Sequence, residues 1–522
     1  MQKLPASIFN DVIGPVMRGP SSSHVAGAAR IGSIIRQSLD SEPKRIVVEF
    51  DVNGSLAESY HGHGSDIGFA SGILGIELTD NLVKDACEIA KRRGIDIQYI
   101  ISDYGAEHPN NYRIEVYDQE GNFHEWEAIS VGGGMIEVVK LDGFKISICG
   151  DFFEIVLLID EVDSKFERIL ENVKKIIGDY EDLVSVIGLN QSLINIKTSL
   201  QVDVRQLEEL KSLSQIVDMI VLKPILPTLS SANCKVPFLT ATDLLELAIK
   251  DKKEMWEMAV LYESIRGNTN DQEVINKMNY LIDIMEKSIE EGLAGTTYSD
   301  RILGPQAYKI ENGIKSGSLV PADVLNQVIK SITAIMEVKS SMGVIVAAPT
   351  AGSCGCLPGT LLGVGKTLGM TRDEIVKGML AAGLIGVFIS EGATFSAEVA
   401  GCQVECGAGS GMAAAGLVQM FKGTVEQCVD AASIALQNVT GLACDPVANR
   451  VEVPCLGKNI MGGSNAIASA NMALAGYDKV IPLDETIAAM YDIGLKLPLE
   501  LRCTFGGLGK TNTSVNLAKL LL

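Results

Sequence analysis

The five histidines of this 522-residue chain all lie between His24 and His124, whereas nine of its eleven cysteines follow residue 230. A site that joins imidazole to thiolate must therefore form where the two ends of the chain meet. The length exceeds one hydrophobic core, so two to four domains are expected. Hydrophobic residues make up 47% and charged residues 21%, proportions of a folded protein that leave little room for disorder. The formal net charge is -21. Neither nucleic acid nor an anionic membrane is an expected partner, because both need clustered Lys and Arg. The opening MQKLPASIFNDVIGPVM has no basic region followed by a long apolar run. Apolar stretches such as Val344–Ala348 and Gly378–Ile389 fall short of the ~18 to 20 residues that span a bilayer. A soluble cytoplasmic protein is the expectation. An odd cysteine count without a secretory signal points to thiols, metal ligands or a redox centre rather than to disulfides.

Three regions follow from local patterns. In residues 1–145, Arg45–Val52 and Tyr112–Tyr117 alternate as half-buried strands do, and Leu82–Arg93 has helical spacing. An α+β domain is expected there, closing at Ile129–Ile136, where Gly132, Gly133 and Gly134 interrupt regular structure. Residues 146–225 read as a ferredoxin-like split βαβ unit. Its expected elements are Phe144–Cys149, Glu154–Leu158, helix Asp163–Ile177, Leu183–Ile187, Leu193–Ser199, helix Val204–Leu213 and Ile216–Leu222. Pro224–Pro237 carries three prolines and is the expected linker. Thr242 and Asp243 then precede LLELAIK as an N-cap would. From there residues 226–522 read as mostly helix, rich in Ala, Gly, Met and Leu, packed closely around a buried site.

Five clusters can carry chemistry. GPSSSHVAG (Gly19–Gly27) sets Ser21, Ser22, Ser23 and His24 at a helix start, an anion cradle or simply an N-cap with spare serines. YHGHGSDIG (Tyr60–Gly68) offers His61 and His63 as ligands or acid–base groups, with Asp66 to orient one of them, or a polar loop. EHPNNYR (Glu107–Arg113) reads equally well as a turn. AAPTAGSCGCLPG (Ala347–Gly359) exposes backbone N–H groups suited to a carboxylate and holds Cys354 and Cys356. Cys402, Cys406, Cys444 and Cys455 lie largely at loop edges, where a thiolate can point at a metal. Their spacing alone leaves a metal site and buried core thiols equally open.

Taken together, GPSSSHVAGAARIG, GHGSD, AAPTAGSCG, GCQVE, the CDPV…VEVPC run and NIMGGSNA resemble the iron–sulfur-dependent L-serine dehydratases, in the same order and over nearly the whole chain. The resemblance implies a β-type part, an ACT-like middle module and an α-type catalytic part fused in one polypeptide. It implies a [4Fe–4S] cluster held by Cys402, Cys444 and Cys455, with one iron left open to substrate. Cys406 and Cys354 become pocket neighbours, and Cys356, Cys428 and Cys503 structural or incidental. Some single-chain relatives end in a cysteine that caps the open iron. This chain ends AKLLL, so that device is not expected here and the cluster is expected to be more open to oxygen.

The implied reaction is deamination of L-serine to pyruvate and ammonia. The open iron serves as Lewis acid for the β-hydroxyl, and a histidine takes the α-proton. His63 is the expected base, with His24 second. Ser21, Ser22, Ser23, Thr350, Ala351 and Gly352 are expected to grip the substrate, and Lys458 and Asn459 to orient it. A small amino acid is the expected partner, with a homodimer or higher oligomer through the ACT-like module. L-Cysteine desulfidase or L-threonine dehydratase activity is the alternative within the family. Two others are a pyridoxal-phosphate enzyme using Met461–Ala466 as a phosphate cup and an amino-acid-binding regulator.

Overall fold

The structure, a computed structural model, describes residues 4–160, 162 and 164–521. The first part is built on a six-stranded sheet. Its strands run in the order Asp96–Ser102, Pro43–Asp51, Asn111–Asp118, Phe123–Gly132, Met135–Leu141, Phe144–Ile148. Only the first pair is parallel. Helices Gly27–Gln37, Ser65–Leu74 and Ala86–Arg92 cover one face, placing Ile31, Ile34 and Phe69 against Ile46, Phe50 and Trp126. The helical spacing at Leu82–Arg93 is realised as a short tight turn, Asn81–Asp85, followed by the helix Ala86–Arg92.

The three consecutive glycines do not close this part. Gly132, Gly133 and Gly134 all have positive φ and turn a hairpin between Phe123–Gly132 and Met135–Leu141. A Cβ on Gly132 would lie 2.7 Å from the Ser396 amide nitrogen. The hairpin thus reaches the helical part because no side chain stands between the two backbones.

The strand Phe144–Ile148 differs from its expected place. It pairs with Met135–Leu141 as the last strand of the first sheet. The middle sheet instead begins at Phe153–Ile159. Its order is Ile216–Leu222, Phe153–Ile159, Ser192–Thr198, Asp182–Ile187, all antiparallel. Helix Ser164–Ile177 joins the first strand of this sheet to the second, and Val204–Lys211 the third to the fourth. Asp163, expected to start the first of these helices, lies outside the described residues. Ile155, Leu157, Ile194 and Ile196 face these helices, while Val156, Leu158, Leu193 and Ile220 join the core of the first part. Both faces of the middle sheet are therefore covered.

Mostly helices follow, as their Ala, Met and Leu content predicts. The first, Ala241–Asp251, is capped by Thr240, two residues earlier than expected, through the Asp243 amide. Helix Cys406–Met420 is buried along its entire length. Its GAGSG and AAAG runs let Arg372–Gly392, Val425–Gln437 and Val453–Leu474 approach closely. Arg372–Gly392 is long and apolar enough to cross a membrane, but 78% of its apolar window is buried within the fold.

The segment around residues 6–17 belongs to this helical core. Ile8, Val12, Ile13 and Met17 are buried there. Strand Val16–Arg18 pairs antiparallel with Val344–Val346. The proline-rich stretch is held too: Asn10 Nδ2 donates to the Thr228 carbonyl at 2.6 Å, and the Thr228 amide donates back to Asn10 Oδ1 at 3.0 Å.

A buried histidine links the first and middle parts. His124 Nδ1 lies 2.8 Å from Asp142 and Nε2 lies 3.5 Å from Asp218 on the middle sheet. Burial alone would lower its pKa. The Asp142 hydrogen bond and the charges of Asp142 and Asp218 outweigh burial and raise it. This stabilisation is complete below ~6.5, where the histidine is charged folded or unfolded. It fades as pH rises through the raised folded-state value. The melting temperature should fall from neutral to mildly alkaline pH, and His124→Gln should flatten that fall. Identical pH profiles for the two proteins would contradict the link.

Candidate active site

The site forms where the first part meets the loops of the helical part. The turn Ser22–Ala26 presents His24, and the loop after helix Leu56–Ser59 presents His63. Gly62 lets that loop touch the helical part, since a Cβ there would lie 2.6 Å from the Asn449 carbonyl oxygen. The His24 and His63 rings meet edge to face, their centroids 4.6 Å apart.

The two imidazoles are held differently. Ser59 Oγ donates to the Ser55 carbonyl at 2.7 Å. Its single proton is spent there, so it accepts from His24 Nε2 at 2.8 Å. His24 Nδ1 is then left to accept from Ser21 Oγ at 2.9 Å. Both nitrogens of His24 are engaged, and Glu398 Oε1 stands 4.0 Å from Nδ1. Burial lowers the His24 pKa against the pull of Glu398. His63 is 1% exposed, and neither of its ring nitrogens has a hydrogen-bond partner among the described residues. Burial first, then the charges of His24, Arg450 and Lys339, hold its pKa well below the usual histidine value. His63 is thus a neutral imidazole with both ring nitrogens open to a hydrogen bond in a buried place, where an unpaired polar group is costly. His61 points elsewhere, exposed and paired with Asp66 at 2.6 Å.

Of the expected substrate-gripping residues, Ser21 touches the His24 ring, and the others bond across the junction or within their own part. Ser22 Oγ accepts from the Ala351 amide at 3.1 Å, joining the two motifs. The Ser23 carbonyl accepts from Ser130 at 3.0 Å. Thr350 Oγ1 donates to Glu405 at 2.7 Å. Burial, reinforced by Cys402 and Glu398, pushes the Glu405 carboxyl well above its ordinary range.

Three segments bring thiols together. Cys402 opens a short turn before the buried helix Cys406–Met420, Cys444 lies in an irregular stretch, and Cys455 stands in the first turn of Val453–Leu474. All are buried and free of disulfides. A hydrogen bond from Cys406 and the nearby Lys458 charge draw the Cys402 thiol down to about 7. A hydrogen bond with Cys503 pushes Cys444 up, and burial pushes Cys455 up. Cys402 and Cys444 both act on Cys455. Cys503, expected to be structural or incidental, is therefore in contact with Cys444. No group of three or more His, Cys, Asp or Glu residues among the described residues is arranged to hold a single metal ion.

Lys458 and Asn459 are held by the protein itself. Lys458 Nζ donates to Asp445 and to the Ala443 carbonyl, both at 2.6 Å. Asn459 is fully buried. Its Nδ2 donates to the Gly352 and Cys455 carbonyls at 2.7 and 2.8 Å. Its Oδ1 accepts from Gly355 and Cys356 at 3.2 and 2.8 Å. It pins the AGSCG loop to the thiol-bearing helix and has no donor left over. Met461–Ala466 lies inside helix Val453–Leu474, where backbone N–H groups are used along the helix and form no phosphate cup.

Sequence reasoning missed Lys339, Glu398 and Glu405. Lys339 is fully buried, donates to the Val451 carbonyl at 3.2 Å, and its charge reaches both His63 and Cys455. Glu405 stands inside the GCQVEC motif and was open to notice; Lys339 and Glu398 carry no local signal.

Two family models match the chain: serine dehydratase alpha chain over residues 240–508 and serine dehydratase beta chain over residues 11–94. It is 38% identical over 283 residues to the probable L-serine dehydratase alpha chain of Bacillus subtilis, covering 54% of this chain and 94% of that one. It is 38% identical over 216 residues to the probable beta chain of the same organism, covering 41% and 96%. An L-serine dehydratase of Helicobacter pylori is 26% identical over 519 residues, covering 94% and 96%.

Removing the Asn459 side chain would strip partners from four buried backbone groups. Asn459→Ala should lower unfolding free energy by about 2 to 4 kcal/mol, measured by chemical denaturation. An unchanged midpoint would contradict its role as a pin.

Proposed function

The chain belongs to the serine dehydratase family, with its beta- and alpha-type parts fused, and we propose that its thiol cluster and His63 together deaminate L-serine to pyruvate and ammonia. The enzyme is a lyase. What supports this reading is a buried imidazole, His63, with no hydrogen-bond partner among the described residues, together with three buried thiols, Cys402, Cys444 and Cys455, close enough for their charges to act on one another. A [4Fe–4S] cluster suits the donor set: three buried cysteines from separate segments, with Lys339 and Lys458 near enough to moderate thiolate charge. Cys402, Cys444 and Cys455 would hold it. When bound, it would supply a Lewis acid for the departing β-hydroxyl.

The chain's own residues would do the rest. His63 is neutral, so a ring nitrogen can accept the α-proton. His24 serves to position, because Ser21 and Ser59 fix its ring and its tautomer. The hydroxyl of Ser22, which only accepts from the Ala351 amide, and the buried ammonium of Lys339 each keep a donor for a carboxylate, whereas Thr350 spends its proton on Glu405. Burial of His24, His63, Thr350 and Lys339 keeps bulk water from the carbanion-like centre. Loss of hydroxide leaves an enamine, which tautomerises and takes up water to give pyruvate and ammonia without further help from the protein.

The middle sheet and its two helices support an ACT-type module, with exposed strand edges at Asp182–Ile187 and Ile216–Leu222 as the places for contact with a second copy. Eleven free thiols suit a reducing compartment such as the cytoplasm.

Anaerobic iron and acid-labile sulfide content tests the ligand assignment. Cys402→Ser, Cys444→Ser and Cys455→Ser should each lose most of both. Cys428→Ser, buried in helix Val425–Gln437, should keep the wild-type content. A full cluster in the first three variants would overturn the assignment. Turnover of serine against cysteine and threonine on the same preparations checks the substrate.

A further inference from the structure

A cavity of about 930 Å³ lies where the first, middle and helical parts meet. None of the residues assigned to the active site lines it. The volume falls within the range of small-molecule sites, roughly 300 to 1,000 Å³. Its charge runs against that of the protein. The chain carries a net charge of -21, yet the lining contains Arg30, Lys223 and Lys277 against a single carboxylate, Glu77.

Each cation comes from a different part of the chain. Arg30 is on helix Gly27–Gln37, Lys223 directly follows the middle strand Ile216–Leu222, and Lys277 is on helix Asp271–Ala294. Arg30 is only 7% exposed. Its Nη1 donates to the Gly134 carbonyl at 2.6 Å and approaches Met135 sulfur at 3.4 Å. Its Nε and Nη2 groups have no acceptor, and it forms no ion pair, among the described residues. Burial draws its pKa down to about 10, offset only by the charge of Asp11. A buried guanidinium with open donors, whose nearby counter-charge, Asp11, forms no direct ion pair with it, lacks the paired acceptors that such a group normally finds. Lys277 Nζ donates to the Pro227 carbonyl at 3.1 Å and to Thr228 Oγ1 at 3.0 Å, which leaves one N–H. Lys223 is exposed and forms no ion pair among the described residues.

We propose that this cavity binds a small organic polyanion, carrying two or more carboxylate groups or a phosphate, clasped between Arg30, Lys223 and Lys277, and that its occupancy alters the response to serine. One cation from each part means that the ligand favours the arrangement in which all three are docked. Pro15 and Val16 also line the cavity, and Val16 belongs to the strand that binds the chain's start into the helical part. The regulatory half rests on the serine dehydratase reading. The binding half does not, and calorimetry reads it without turnover.

The test uses the full chain under anaerobic conditions with two probes, tricarballylate and inorganic phosphate, and acetate as control at matched ionic strength. Saturable binding of either probe, weakened at least tenfold in the exposed-site variant Lys223→Gln and in Lys277→Gln, supports the site. The stronger probe distinguishes a carboxylate from a phosphate source. Arg30→Met should abolish binding, with circular dichroism to verify folding. Bound probe should shift the KM for serine in wild type and leave it unmoved in Lys223→Gln. Absence of saturable binding by both probes, or binding unchanged in the lysine variants, overturns the site. Binding that leaves the serine KM where it was overturns the regulatory role.

Discussion

Burial of residues 6–17 in a core built by the last half of the chain is the constraint on which the site depends. The antiparallel pair Val16–Arg18 and Val344–Val346 marks the junction. Its hydrogen bonds, at roughly 1 kcal/mol net each, are the smaller contribution. Ile8, Val12, Ile13 and Met17 are each fully buried, and each such side chain is worth about 1.5 to 3 kcal/mol. Apolar anchoring therefore decides where the N-terminal segment lies. The strand register decides where its serines and His24 emerge.

From that junction the polar site follows by close approach. Ser22 meets the Ala351 amide, the glycine loop before His63 presses on Asn449, and the hairpin at Gly132 meets Ser396. The segments that carry the imidazoles thus pack against the helical part, and Lys339, whose charge acts on both His63 and Cys455, lies between the two groups. The electrostatics then separate the roles. Burial pushes most of these thiols toward the neutral form, whereas Cys402, beside Lys458, is drawn the other way. Several thiolates in one dry place would repel one another, and buried charge is tolerated only when paired. Lys339 and Lys458 moderate that repulsion. The histidines divide similarly: hydrogen bonds on both nitrogens make His24 a fixed wall, and their absence leaves His63 available.

The sequence carried much of this where the signal was local. Glycine, proline and serine punctuation marked the loops bearing Ser21–His24, Thr350–Gly352 and the three cysteines. Strand and helix periods placed most elements within a few residues. What escaped was set by distant partners. Phe144–Ile148 looks like any strand, and only pairing with Met135–Leu141 assigns it to the first sheet. Lys339 lies in an ordinary helical pattern, and nothing nearby announces that its ammonium is buried. Asn459 follows Cys455 so closely that a substrate role is natural, until four backbone partners are seen to occupy it. Cys503 is distant in sequence from Cys444 and becomes its neighbour through pairing of their backbones.

The central claim is that an imidazole from the beginning of the chain acts on a substrate held among thiols from its end. Cleavage of the α-carbon–deuterium bond of α-deuterated serine by anaerobic His63→Asn tests it most directly. The account predicts iron and sulfide content equal to wild type, with bond cleavage slowed by about 10²- to 10⁴-fold. Cleavage at the wild-type rate by a variant with a full complement of iron would contradict it.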